Sequence, residues 1–152
     1  MISDLDLEKE LRLDKQLCFA LYGAAHAFTR AYKPLLSPLG LTYPQYVVMM
    51  ALWEEDDLPV KGLGERVGLD SGTLSPLLKR LEQVGYVARR RDVADERQVF
   101  ITLTEEGRAL KARAVDVLRA IGGQTGCDVS EIQSLRDSLK RLKGHLEAID
   151  PP

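Results

Sequence analysis

The stretch that most restricts the fold of this chain is residues 60–103, where two helical segments around a glycine turn precede two β-prone segments. VKGLGERVGL predicts a short helix that ends at Gly68, and DSGTLSPLLKRLEQVG predicts a longer helix that ends at Gly85. The following YVARRRDVADERQVFITLT has β-prone residues on both sides of a charged turn, which is typical of a β-hairpin. This order predicts a helix-turn-helix unit followed by a hairpin.

The second helix of that unit has two faces of different chemistry. Its inward face is formed by leucines, namely Leu74, Leu77, Leu78 and Leu81. Small, hydroxyl and basic side chains that can approach a DNA major groove occupy the outer face and flanks: Gly72, Thr73, Ser75, Pro76, Lys79 and Arg80. Pro76 is tolerated because it lies near the helix start and because Gly72, four residues earlier, lessens the crowding. From the pattern alone, a solvated face without function is the alternative.

The hairpin carries an arginine cluster that acidic residues partly neutralise. Arginines occupy positions 89–91 and 97, and the turn between them contains Asp92, Asp95 and Glu96. Residues 61–97 have eight basic and six acidic side chains, a net charge of +2. Position is therefore more informative than charge: Arg97 at the hairpin tip can enter a narrow minor groove, and Asp95 can orient it.

The rest of the chain is predicted to be helical. Helices are expected over residues 14–32, 42–57, 104–121 and 130–149. Pro34 breaks the pattern after the first of these, and Thr104 can cap the third. The last of these can begin with a Ser130–Gln133 capping box. The fold class is therefore predicted to be mostly α with a small β-hairpin.

The last helix carries an apolar seam with steps of three and four residues. Its members are Ile132, Leu135, Leu139, Leu142, Leu146 and Ile149. Such a seam suits packing against a partner helix, for example in a second subunit, and equally suits covering the core of its own domain.

Length and composition exclude several classes of protein. A chain of 152 residues fits one domain, and no apolar run reaches the roughly 20 residues of a membrane span. The start MISDLDLEKE lacks the layout of a signal peptide, so we expect a cytoplasmic location in which both cysteines stay as thiols. The net charge of −2 gives no global sign of nucleic-acid binding.

Cys18 lies near the start of the first long helix, and two interpretations are open. A lone cysteine on an amphipathic helix is commonly a small buried hydrophobe. Alternatively, the positive end of the helix dipole favours a thiolate there, and the phenol of Tyr22, four residues on, can donate a hydrogen bond to it.

Residues 63–107 resemble the winged-helix core of MarR-family transcription regulators, including the DER of the wing. The resemblance implies one MarR-type domain over residues 1–152, with a winged helix-turn-helix at about 42–103. It also implies a homodimer, joined through helices at about 1–33 and 104–152, on a pseudo-palindromic double-stranded operator. The DNA-contacting residues expected from it and from the charge pattern are Ser71, Thr73, Ser75, Pro76, Lys79, Arg80, Arg91, Asp95 and Arg97.

The segment LCFALYGAAHAFTRAYKPLLSPLGLTYPQY resembles the sensing region of the organic-hydroperoxide-resistance (OhrR) branch of that family. The resemblance implies that Cys18 is oxidised by organic hydroperoxides and that Tyr32 and Tyr43, with Tyr22 less directly, stabilise its thiolate. It further implies that Cys127, after the flexible GGQTG, forms an intersubunit disulfide with Cys18. The expected function is a repressor that releases its operator when oxidised.

Two other functions and a metal site are alternatives to this interpretation. A MarR-type regulator released by a small aromatic or anionic ligand would leave Cys18 incidental. A thiol peroxidase would need a base such as His26, about 12 Å along the helix from Cys18 and too far for a hydrogen bond. A zinc site built from Cys18, His26, Cys127 and His145 lacks close paired spacing. We therefore expect no enzyme activity, no metal and no organic cofactor.

Overall fold

The computed structural model describes residues 6–149, which form seven helices and a small antiparallel sheet. The helices are α1 Leu7–Glu10, α2 Leu17–Leu36, α3 Tyr43–Glu54, α4 Val60–Val67, α5 Ser71–Gln83, α6 Glu105–Gln124 and α7 Val129–Ile149. Short 3₁₀ turns cover Leu13–Lys15 and Ser37–Leu39. The strands are β1 Leu58–Pro59, β2 Val87–Arg91 and β3 Val99–Leu103. The mostly helical fold is confirmed.

The sheet contains one strand more than the predicted hairpin. Its order is β1-β3-β2, and both pairings are antiparallel. Leu58 pairs with Ile101 and Pro59 with Phe100, so β1 covers only the base of the hairpin. A two-residue strand that ends in proline has no period-2 signal, and for this reason the sequence pattern missed it. The helix-turn-helix followed by this sheet is a winged helix-turn-helix.

The chain divides into two compact units, residues up to Val117 and residues from Leu118 onward. In the first unit, one apolar core joins α3, α4, α5, the sheet and the first half of α6. Leu52, Leu63, Leu74, Leu81 and Ile101 are fully buried in it. The second unit contains the end of α6 and all of α7, and none of the described residues of α7 is buried. The apolar core therefore lies in the first unit, in and around the winged-helix region.

Two predicted helix starts are confirmed in detail. Thr42 caps α3 in a reciprocal capping box with Gln45, and Pro44 lies in the first turn. The hydroxyl of Thr104 accepts a hydrogen bond from Gly107 N at 3.1 Å at the start of α6. Both caps satisfy amide groups that an uncapped helix leaves without partners.

Other helix ends differ from the prediction. α2 begins at Leu17 rather than Asp14 and continues through Pro34 to Leu36. Proline removes only one backbone hydrogen bond, and burial of Leu36 favours the last turn. α3 ends at Glu54 rather than Asp57, and α6 continues past Ile121 to Gln124.

The start of α7 is also corrected. The helix is capped by Asp128 and Glu131, not by Ser130 and Gln133. The Asp128 carboxylate accepts from Glu131 N at 2.8 Å, and the Glu131 carboxylate accepts from Asp128 N at 2.7 Å. Two carboxylates at the positive end of a helix are favoured over a hydroxyl and an amide.

Within residues 6–149 no single helix is long and apolar enough to cross a membrane. One pair, Leu17–Leu39 with Tyr43–Glu54, passes that test of length and composition only together and is bent by 67°. The same residues contain no group of three or more metal-ligating side chains that could hold an ion.

Candidate DNA-binding surface and thiol sensor

The turn between α4 and α5 brings two backbones into close contact. Gly68 ends α4 in the left-handed conformation, and Leu69 N donates to Gly64 O at 2.9 Å. A Cβ on Gly64 would lie 2.8 Å from Leu69 O, so glycine is required there. Asp70 then caps α5 by accepting from Thr73 N at 2.8 Å. That hydrogen bond lowers the pKa of Asp70, so the cap stays charged.

The two faces of α5 are as predicted. Leu74, Leu78 and Leu81 are buried, and Leu77 is half-buried. Pro76 lies inside the helix without ending it. The predicted DNA-contacting side chains of this helix are all exposed: Ser71, Thr73, Ser75, Pro76, Lys79 and Arg80. The helix therefore offers an uncovered polar and basic face, and its contact with DNA stays a prediction.

The wing consists of β2, β3 and the turn 92–98 between them. The turn is closed by Asp92 N donating to Gln98 O at 3.0 Å and by Gln98 N donating to Asp95 O at 2.9 Å. The Asp95 carboxylate accepts from both the backbone N and the Nε of Arg97, at 3.1 and 3.2 Å. The Arg97 side chain is nevertheless 92% exposed. Asp95 therefore holds Arg97 outward at the tip, in a geometry that suits insertion into a groove.

A groove of about 980 Å³ lies between α4, the start of α5 and the wing. Lys61, Arg89 and Arg97 line it together with Ser71 and Gln98. Sequence reasoning did not assign Lys61, Arg89 or Gln98 to the DNA-facing surface. The period of two along β2 could have identified Arg89, because it shares a strand face with Arg91. Arg91 is exposed and is not among the residues that line the groove.

The two cysteines lie in different units and in different surroundings. Cys18 is the second residue of α2 and is exposed, so its interpretation as a buried hydrophobe is wrong for the single chain. Cys127 is half-buried after the left-handed Gly126, and its thiol lies 3.6 Å from Thr125 O. Neither cysteine is in a disulfide.

Of the three tyrosines predicted to stabilise the thiolate, the structure brings two together. The rings of Tyr32 and Tyr43 are 4.9 Å apart, and Tyr46, which the sequence did not single out, lies 5.7 Å from Tyr32. Burial, and then the neighbouring Tyr46 and Tyr43, raise the pKa of Tyr32 to about 12. Burial also raises the pKa of Tyr46. The phenols of Tyr32 and Tyr46 therefore keep their protons at neutral pH and are available as hydrogen-bond donors.

Cys18 does not meet this tyrosine cluster within its own chain. Tyr32 follows Cys18 by fourteen residues in the same continuous helix, which separates them by about 21 Å along its axis. Tyr22 is one turn from Cys18, but its ring stacks edge-on against His26 at 4.4 Å. A thiolate at Cys18 could reach the phenols of Tyr32 and Tyr43 only on a second chain.

Comparison with known proteins gives consistent results. The profile of the family described as transcriptional regulator SarA/Rot matches residues 30–114. The chain is 54% identical over 136 residues to the HTH-type transcriptional regulator TtmR of Methylorubrum extorquens, covering 90% of this chain and 70% of that protein. It is 49% identical over 127 residues to the organic hydroperoxide resistance transcriptional regulator of Bacillus subtilis, covering 82% of this chain and 86% of that protein.

The fold is likewise similar to solved structures of AbfR, a protein of Staphylococcus epidermidis. Reduced AbfR bound to DNA is 38% identical with a TM-score of 0.73, over 91% of this chain and 97% of that one. Disulfide-formed AbfR is 38% identical with a TM-score of 0.64, over 89% of this chain and 95% of that one. The similarity extends beyond the winged helix into the flanking helices.

Proposed function

The chain belongs to the MarR-type winged-helix transcription regulators, which include the SarA/Rot proteins and are DNA-binding, and we propose that it is a repressor switched by organic hydroperoxides. In this proposal the reduced homodimer binds a pseudo-palindromic operator in the cytoplasm. Oxidation of Cys18 and an intersubunit disulfide with Cys127 then release the DNA.

The observation that carries the proposal is the placement of Cys18 relative to the tyrosines. The thiol is exposed in the first turn of α2, where backbone N–H groups and the helix dipole favour an anion. The paired phenols of Tyr32 and Tyr43 are too distant in the same chain and become donors to the thiolate when a second chain supplies them. A relative named for organic hydroperoxide resistance, 49% identical, supports this assignment.

A homodimer is supported by uncovered apolar surface on both long flanking helices. α2 exposes Leu17, Phe19 and Phe28, and α7 exposes Leu135, Leu146 and Ile149. Large exposed apolar side chains in this number are typical of a protein interface. Two chains would also present two α5 helices and two wings, which matches a two-fold operator.

The proposed chemistry balances in two steps. The Cys18 thiolate attacks the outer oxygen of an organic hydroperoxide, which gives a Cys18 sulfenic acid and the corresponding alcohol after protonation. The Cys127 thiol then attacks the sulfenic sulfur, so a disulfide forms and water leaves. A dithiol reductant restores both thiols. For AbfR, a reduced DNA-bound form and a disulfide form are both known, which supports the same cycle here.

Two relatives support a regulator rather than an enzyme, because TtmR and the Bacillus subtilis protein are both named as transcription regulators. In addition, His26 lies two turns from Cys18 against the Tyr22 ring and not beside the thiol. We propose that Cys18 reacts once in each switching cycle, without metal or organic cofactor. Peroxide turnover far above one event per dimer would contradict this.

The test is operator release by one equivalent of cumene hydroperoxide, followed by fluorescence anisotropy on DNA from upstream of the gene. Cys18→Ser should bind as tightly as the reduced parent protein and should no longer be released. Cys127→Ser is the matched control, in which Cys18 is still oxidised but no cross-linked dimer forms. Release of Cys18→Ser by peroxide would contradict the sensor, and release by an aromatic acid without oxidation would favour the ligand-controlled alternative.

A further inference from the structure

Four consecutive acidic residues at the C-terminal end of α3, positions 54–57, pair with arginines from three other elements. Glu54 and Glu55 both pair with Arg66 of α4. Asp56 accepts from Leu103 N of β3 at 2.8 Å and pairs with Arg108 of α6. Asp57 binds Arg90 of β2. This run therefore connects the end of the core helix α3 to α4, β2, β3 and α6.

Asp57 has the most constrained geometry of the four. It has φ 58° and is the only non-glycine residue in the described part of the chain with positive φ. Arg90 Nη2 lies 2.8 and 2.9 Å from its two carboxylate oxygens. The Arg90 guanidinium also lies over the Phe100 ring, 4.6 Å from its centroid. The arginine is thus fixed both by a charge and by an aromatic ring.

This contact lies where the sheet loses its third strand. Pro59, Phe100 and Arg90 form the last level at which all three strands pair. The next level is Arg91 with Val99 alone, and beyond it comes the turn with Arg97. A two-stranded hairpin is only marginally stable by itself, so its direction depends on how its base is held.

We propose that Asp57 is a positioning residue for operator binding: through Arg90 it fixes the direction in which the wing leaves the sheet. The wing tip can then reach its DNA groove while α5 contacts the operator. The inference rests on the proposed function in that the two wings meet the operator, with Arg97 as the expected contact. Asp57 itself contacts Arg90 at the base of the wing.

The test is a double-mutant cycle between Asp57→Asn and Arg97→Ala in the full-length reduced protein. Asparagine tolerates positive φ and keeps the shape of the side chain, so Asp57→Asn removes only the charge. Arg97→Ala alone should weaken operator binding by about 10- to 100-fold. Asp57→Asn alone should weaken it by about tenfold or more, close to the loss measured for Arg97→Ala. In the Asp57→Asn background, Arg97→Ala should cost less than about threefold, because the tip no longer reaches the groove.

A second readout separates positioning from loss of stability. The same proteins are titrated with a scrambled duplex of equal length. Asp57→Asn should leave that affinity unchanged or slightly raised, so the ratio of operator to non-operator affinity falls about tenfold. A merely destabilising change would lower the active fraction and leave the ratio unchanged. Asp14→Asn, an exposed carboxylate that pairs with Arg12, is the control for net charge.

Each result has a separate meaning. If Arg97→Ala has no effect on operator binding, the wing contact in the proposed function is wrong. If Arg97→Ala is costly and its cost is the same with and without Asp57, the positioning role is wrong. An unchanged affinity ratio for Asp57→Asn would also overturn it.

Discussion

Helices α5 and α7 have similar apolar seams in the sequence, but the seam of α5 is buried in the folded chain and that of α7 is not. α5 buries Leu74, Leu78 and Leu81 in the core of the winged-helix region. α7 carries leucines at equally regular spacing, and none of its described residues is buried. α2 resembles α7, because Leu36 at its end is its only residue in the buried class.

This difference divides the molecule into two parts. In one part a single chain buries its own apolar side chains, and in the other part it leaves them exposed. The DNA-binding region has its core, its caps and its three-stranded sheet within one chain. The flanking helices have apolar faces without a cover, and the thiol of Cys18 has no phenol beside it other than the stacked Tyr22. We propose that the second subunit supplies both the cover and the tyrosines.

The largest expected effect comes from a charge on the uncovered seam of α7. Leu146→Glu is expected to weaken dimerisation by about 100-fold or more, because symmetry places two copies in the interface and each buried leucine is worth about 1.5–3 kcal/mol. Analytical ultracentrifugation measures the dimer dissociation constant. Ala148→Glu, on the opposite face of the same helix, should leave it unchanged. An equal change in the dimer dissociation constant for both variants would mean that the seam of α7 is not in the interface.

A matched pair of leucine truncations sharpens the same contrast. Leu78 is 1% exposed in the core, so Leu78→Ala should lower the free energy of unfolding by about 2–5 kcal/mol at every protein concentration. Leu135→Ala should destabilise the protein only through the dimer, so its effect should shrink towards zero as dilution dissociates the parent protein. Urea denaturation at several concentrations measures both. A concentration-independent loss for Leu135→Ala would place this residue in a core instead.

A smaller effect is expected at the wing tip, where one chain is already complete. Asp95→Ala removes the acceptor that holds Arg97 outward, so operator affinity should fall by about threefold to tenfold. Glu96→Ala changes the charge equally and serves as the control. Anisotropy titration at two salt concentrations measures the change. Equal losses for both variants would mean that only the charge of the tip matters.

The last prediction concerns the pH dependence of stability. Because the folded pKa of Tyr32 is raised to about 12, the folded chain keeps a proton that the unfolded chain loses near pH 10. The free energy of unfolding should therefore fall as pH rises from about 10 to 12, and in Tyr32→Phe it should fall less steeply. Urea denaturation across this range compares the two proteins. Parallel curves would mean that the phenol is not held in its protonated form.

The sequence predicted most accurately those features that are local. The cap at Thr104, the proline inside α5 and the pairing of Asp95 with Arg97 all depend on residues within four positions of each other. Features that depend on distant contacts were missed: β1 exists only because β3 lies beside it, and Tyr46 joins Tyr32 only after α2 and α3 pack. The cap of α7 was assigned to the wrong pair because serine and aspartate both suit that position.

The most direct test of the account uses mixed dimers of two variants with different affinity tags. Cys18→Ser retains Cys127, and Cys127→Ser retains Cys18, so a mixed dimer can form one disulfide only between chains. After one equivalent of cumene hydroperoxide, we predict a covalent dimer that carries both tags, absent from either variant alone and reversed by dithiol. If no such dimer forms while mass spectrometry shows that Cys18 is oxidised, the second chain does not complete the sensor and the account is wrong.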